Sequence, residues 1–288
     1  MDRVVLAEVP SFRELARLEG YTLPWNEEGL SRGSGEVLVR KARVHVLARW
    51  SPATGSVTTL VDDPAIDRGL FLLDPAGRRA ARQTEANLIE IAAVVSGEVL
   101  ATLPHAFDAG GTYAAWSPDG RHLATVGPAA LEIWDPATGK LLRAHPTPAT
   151  ERPMGRPRWS ADGARVLFLR DQDPSSPTRH PARLRSLDVA SGAVRGPWPA
   201  SDFTAPGPRL YLSVPRKVQI LDTRTGKLRT IRDDPPVEDD FGGEIYADPA
   251  VSADERWILV SVSSPGGSAI LLGDTTTGAW TTPFFTKH

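Results

Sequence analysis

The stretch AAWSPDGRHLATVGPAALEIWDPATGKLL, residues 114–142, decides the fold. An apolar run ends at Trp116 in the tight turn SPDG, and a second run, RHLATVG, follows it. A third run ends at Trp134-Asp135, the Gly-containing turn PATG comes next, and a last short run starts at Lys140. Short apolar and β-branched runs bounded by Gly, Pro, Asp and Ser are strands, so the segment reads strand, turn, strand, connection, strand, turn, strand.

Both turns recur along the chain. The first is seen again as WSADG (159–163) and VSADE (251–255), with looser copies LDPAG (73–77), TAPGP (204–208) and LSRGS (30–34). The second recurs as WSPATGS (50–56), VVSGE (94–98), LDVASGA (187–193), LDTRTGK (221–227) and GDTTTGA (273–279). A period of roughly 40–45 residues with several short strands per unit is the signature of propeller blades. One four-stranded unit leaves its edges unpaired and cannot bury its faces alone, so the units are expected to close into a ring. The expected fold is therefore all-β, a β-propeller of six four-stranded blades over residues 21–288.

Residues 1–20 fall outside the repeat. They read as a strand from Val4 to Val9 and then a short helix near Ser11, where Ser11 and Glu14 have capping-box spacing and Phe12, Leu15, Ala16 and Leu18 offer an apolar stripe. Such an extension would plug or cover a sheet edge. Its strand could instead close the ring against the last blade, which makes seven blades the structural alternative.

Residues 114–142 resemble a WD-repeat blade, including the Trp134-Asp135 dipeptide, and the other blades look more like TolB-like propeller repeats; together the resemblance covers roughly residues 22–285. No blade carries the Gly-His dipeptide of full WD repeats, and one has Trp-Asp. Leu187-Asp188, Leu221-Asp222 and Gly273-Asp274 keep the acid as a turn-forming Asx position.

Composition limits the function. The 288 residues are 41% hydrophobic and 24% charged with a formal net charge of -2, so no broad field favours a polyanion, and nucleic acid is not an expected partner. The most apolar stretch, Leu88–Leu103, is broken by Glu90 and Glu98, and no membrane association is expected. With no cysteine, disulfides, thiolate nucleophiles and thiolate metal sites are all excluded. Glu8, Arg13, Glu14 and Arg17 interrupt any apolar leader, and the expected location is the cytoplasm.

In blades of this kind both repeated turns lie on one face of the disc, and the other face receives the irregular connections at 104–110, 145–156, 171–182, 233–244 and 263–268. Long loops on a rigid scaffold are where binding usually resides. That face carries His105, His145 and His180, whose spacing is no recognised metal pattern and which read more simply as solvated histidines. It also carries the acidic run DDPPVEDDFGGE (233–244), with Glu238, Asp239, Asp240 and Glu244, as well as Arg152, Arg156 and Arg158, a residue type suited to carboxylates or phosphates. The acidic run lacks calcium-loop spacing, so no metal and no cofactor are expected. Trp116, Trp134 and Trp159 occupy equivalent strand ends and are assigned to packing between blades.

No G-x-S-x-G, H-E-x-x-H or phosphate loop is present, and the chain's asparagines are Asn26 and Asn87, against the Asn-rich centre of calcium-type six-bladed lactonases. The favoured expectation is a non-catalytic scaffold binding a protein partner or small ligand through the loop-rich face. The alternative is a small propeller enzyme, a lyase, cyclase or hydrolase, with its groups converging at the channel mouth.

Overall fold

The computed structural model describes residues 3–8, 10–11, 13–23, 36–41, 44–62, 70–84, 86, 88–104, 113–148, 150–171, 182–200, 202–204, 209–214, 217–222, 225–233, 249–252, 254–264 and 267–287. The chain divides into two compact units, Met1–Pro146 and Thr147–His288. Each holds three four-stranded antiparallel blades.

The first unit begins with a hairpin, β1 (Arg3–Ala7) and β2 (Glu14–Glu19). Blade 1 comprises β3 (Tyr21–Thr22), β4 (Val37–Lys41), β5 (Val46–Trp50) and β6 (Val57–Asp62). Blade 2 is β7 (Phe71–Leu73), β8 (Arg79–Gln83), β9 (Ile89–Ala93) and β10 (Val99–Leu103). Blade 3, which contains residues 114–142, is β11 (Tyr113–Trp116), β12 (Leu123–Val126), β13 (Ala130–Asp135) and β14 (Lys140–Pro146).

In the second unit, blade 4 is β15 (Arg152–Trp159), β16 (Arg165–Asp171), β17 (Arg183–Asp188) and β18 (Val194–Pro199). Blade 5 contains β19 (Asp202–Thr204), β20 (Arg209–Val214), β21 (Lys217–Asp222) and β22 (Leu228–Asp233). Blade 6 is β23 (Ala250–Val251), β24 (Trp257–Ser264), β25 (Gly267–Asp274) and β26 (Trp280–Lys287). Every strand pairs with its chain neighbour, the up-and-down order of propeller blades.

The extension corrects one expectation. Residues 14–19 form a strand, not a helix, pairing with β1 through Val4↔Leu18 and Leu6↔Ala16. The physical reason is period. Ala16 and Leu18, two apart, pack with Val4 and Leu6 against Val37, Val39 and Trp50 of blade 1, whereas Leu15 stays 52% exposed. Ser11 caps no helix: its hydroxyl donates to the Glu8 carboxylate in the turn that joins the two strands, at 2.8 Å. The hairpin is a sheet of its own, so the blades number six among the described residues and the seven-blade alternative falls.

The repeated turns are the hairpins between the first and second strands and between the third and fourth. In the first kind, the Ser117 hydroxyl donates to Asp119 at 2.7 Å and accepts from the His122 amide at 2.9 Å, and Asp119 accepts from the Arg121 amide at 3.0 Å. Ser160-Asp162 and Ser252-Asp254 repeat the arrangement. In the second kind Asp135, Asp188, Asp222 and Asp274 each accept from an amide two or three residues on, the Asx turn that the sequence implies.

The core lies between blades. Third strands of blades 3, 4 and 5 share one alternation, with the second, fourth and fifth residues buried, and fourth strands are largely exposed. Leu72, Ile89, Ile91 and Leu103 of blade 2 meet Leu123 and Trp134 of blade 3, while Leu167, Leu169 and Leu184 of blade 4 meet Phe203, Leu210 and Leu221 of blade 5. At about 1.5–3 kcal/mol for each large buried side chain against about 1 kcal/mol for a typical net hydrogen bond, this packing dominates the energetics. Polar clasps then fix register between neighbours. The Trp116 indole donates to the Leu72 carbonyl at 3.1 Å, and Arg79 stacks on Trp116 while bonding Asp74 and the Gly120 carbonyl.

Asp74 is buried and accepts from the Arg78 and Arg79 amides and the Arg79 guanidinium. Replacing it by Ala is expected to cost about 2–3 kcal/mol in urea denaturation, since a partly buried guanidinium and two turn amides lose their acceptor.

Candidate binding groove

Of the residues assigned to the loop-rich face, His105, His180, Glu238, Asp239, Asp240 and Glu244 lie outside the described residues. The other two stand in strands and not in the expected 145–156 connection. His145 is a half-buried residue of β14 opposite Leu131, and Arg156 sits in β15 where the register with β16 slips between Met154 and Arg158. The slip, with Gly155 at φ 67°, carries β15 back to Arg152 and so absorbs most of that loop. Arg158 stacks on Phe203 of blade 5, with its guanidinium 5.3 Å from the ring centre. Among the described residues no three His, Asp or Glu side chains come together as a metal site.

At the start of β15 sequence reading missed Glu151. It is buried and accepts a two-pronged bond from Arg185 on β17, with Nη2 to Oε1 at 2.6 Å. Arg185 holds the Glu151 carboxyl well below the usual range, and Arg170, fully buried on β16, adds a second positive charge. Burial lowers the Arg170 pKa, and Glu151 counters it. The trio is a structural ion cluster on blade 4; glutamate before a strand leaves no sequence motif.

The second unit also contains an open groove of about 590 Å³ at the short-turn end of blades 5 and 6. Its walls are both hairpin turns of blade 6, carrying Asp254, Glu255, Arg256, Thr275 and Thr276, and two strands of blade 5, carrying Arg209 and Arg229. Glu255 is the anomaly. It stands where the equivalent turns have Gly77, Gly120 and Gly163, and it keeps the glycine-like backbone, at φ 56°. A non-glycine residue there costs about 1–3 kcal/mol unless its surroundings hold it.

Three bonds hold it. Buried Tyr211 donates its hydroxyl to the Glu255 carboxylate at 3.1 Å, Arg209 lies 3.5 Å from the same oxygen, and the Thr275 hydroxyl donates to the Glu255 carbonyl at 2.7 Å. The Arg209 pair is exposed and contributes at most about 1 kcal/mol, so the charge-assisted phenol bond, worth about 1.5–3 kcal/mol, offsets the strain. Burial, with the adjacent carboxylate, pushes the Tyr211 phenol up to about 12. The signal was present in the sequence, in a turn written VSADE where its sisters read WSPDG and WSADG.

A smaller groove of about 340 Å³ occupies the same place at blades 2 and 3 of the first unit, with Arg79 in the position of Arg209. There the arginine is spent, on Asp74, the Gly120 carbonyl and Trp116.

No family model matches this chain, and neither does any curated protein. Solved structures do. A chain of the mitotic checkpoint complex is 14% identical over 88% of this chain and 77% of its own, with a TM-score of 0.60. The Cps50 (Swd1) beta-propeller domain of Myceliophteria thermophila is 13% identical over 76% and 71%, at 0.54. A prolyl endopeptidase reaches 0.62 at 14% identity, over 89% of this chain and 42% of its own. These likenesses show the fold, a β-propeller.

Glu151→Ala removes the carboxylate bonded to half-buried Arg185 and the negative charge that offsets buried Arg170, and is expected to cost about 3 kcal/mol or more by chemical denaturation, with Glu151→Gln costing less. Tyr211 makes a second prediction, with its sign fixed by linkage. Because its folded pKa is raised, its contribution is fully present below about 10 and is lost as pH climbs from there towards 12. Tyrosinate absorbance should show one of the four tyrosines ionising late, coincident with alkaline unfolding and absent from Tyr211→Phe.

Proposed function

We propose that this protein is a non-catalytic propeller scaffold of the WD-repeat and TolB-like kind, working in the cytoplasm and binding a protein partner or small ligand through its loop-rich face. One observation carries the reading: the described carboxylates with displaced pKa values are all lowered. Asp119, Asp135, Asp162, Asp188, Asp254 and Asp274 are held ionised by turn amides and hydroxyls, and Glu14 and Glu151 by arginines. A carboxyl working as an acid or base near neutral pH needs the opposite displacement. These acids belong to the frame.

The frame also divides its ends unequally. The described Ser-Asp and Asx hairpin turns are short and satisfy their own polar groups. At the opposite end of the blades the connections vary in length, from the two residues between β24 and β25 to the longer links 63–70 and 234–249, and a stiff scaffold carrying long loops suits recognition. The neighbour from the mitotic checkpoint complex supports the reading at the level of fold alone.

Affinity capture with the full chain, followed by calorimetry on the purified partner, tests the proposal. Saturable binding is expected, weakened by charge reversal of Glu238, Asp239 and Asp240 together. Turnover of an ester, lactone or peptide panel would overturn it. So would a stoichiometric metal, measured by elemental mass spectrometry, that disappears when His105, His145 and His180 are all changed to Ala.

A further inference from the structure

Two departures from the repeat fall in one place. Aligning the turns by their closing bonds, Asp222 amide to Lys227 carbonyl and Ala93 amide to Glu98 carbonyl, sets Arg229 of blade 5 where blade 2 has Leu100. Glu255 stands where blade 3 has Gly120. Both changes line the larger groove, and both put a charge where the sister repeat has none.

The acids of that groove are turned to the fold. Glu255 is engaged by Tyr211 and Arg209. Asp254 accepts from the Ser252 hydroxyl and the Arg256 amide, and Asp274, behind the wall, accepts from the Thr276 and Thr277 amides and from Arg256. The cations keep exposed faces although two of them are engaged, Arg209 by Glu255 and Arg256 by Asp274 and the Trp257 ring. Arg209 and Arg256 have side chains 57% and 56% exposed, and Arg229 is exposed with no ion pair among the described residues. What the groove offers to solvent is guanidinium, with the Thr275 and Thr276 side chains on its wall.

We propose that this groove binds the carboxylates of an acidic peptide segment, with Arg229 and Arg256 as the forks that recognise them and Glu255 as a strut holding Arg209 in the wall. Carboxylate suits a planar guanidinium fork. Phosphate is the poorer match, because phosphate cradles rely on backbone amides and those of Arg256, Thr276 and Thr277 already serve Asp254 and Asp274. The groove is open along the surface, which admits side chains from an extended chain.

The test uses the full-length protein and fluorescein-labelled hexaglutamate, read by anisotropy at low salt, where exposed charge interactions are least screened. Saturable binding is expected, falling about tenfold or more in Arg229→Glu, the scale for losing a charge-assisted contact and gaining a repulsive one. Arg121→Glu, which makes the same change in net charge at the smaller groove, should leave binding unchanged. Arg229 is an exposed outer-strand residue, and an unaltered melting curve establishes that its variant folds.

Three results would each overturn the proposal: no saturable binding by the wild type, equal loss in the Arg121 and Arg229 variants, or equal affinity for the hexaglutamine counterpart. Inorganic phosphate that displaces the peptide at concentrations where acetate does not would also overturn it, in favour of a phosphate site. A partner held by the loop-rich face keeps its affinity for Arg229→Glu, so failure at the groove leaves the scaffold reading intact.

Discussion

The structure depends on the meeting of apolar blade faces. A four-stranded antiparallel sheet with short strands has too little interior to hold itself together, and here the buried leucines, isoleucines and aromatics of one blade find their partners on the next. Everything polar is arranged around that need. Clasps such as Arg79 on Asp74 and Gly120, or the Trp116 indole on Leu72, add direction to a contact that hydrophobic burial leaves undirected. Within the first unit the N-terminal hairpin extends the same logic, laying Val4, Leu6, Ala16 and Leu18 over blade 1.

The fold was legible because its turns are local. A serine-aspartate hairpin or an Asx-glycine hairpin is determined by about five residues, so each copy announces itself in sequence and the strands between are implied by exclusion. The N-terminal strand was misread for a related reason. Glu14–Glu19 satisfies a helical stripe and a two-residue alternation at once, and tertiary packing on Trp50 decides between them. Short amphipathic segments carry too little information to settle that choice alone.

The polar sites were less legible. Glu151 stands just before β15, Arg170 on β16 and Arg185 on β17, and nothing in the spacing of those residues marks them as neighbours. The span holding His145 and Arg156 reads as a connection in sequence, whereas β15 accommodates Gly155 and Pro157 by slipping register. Glu255 is the instructive exception. Its oddity shows when one copy of a turn is set against the others, so a repeat protein supplies an internal standard that a single-copy fold lacks.

The self-contained turn has a consequence for how such a chain diverges. Because the serine and aspartate bond within their own hairpin, the outward positions beside them carry little of the structural burden and can accept new chemistry one copy at a time. Leucine in one copy and arginine in another, or glycine and glutamate, are alternatives that the same hairpin accommodates. Duplication multiplies the scaffold, and each duplicate then becomes a separate place for natural selection to experiment without putting the parent architecture at risk.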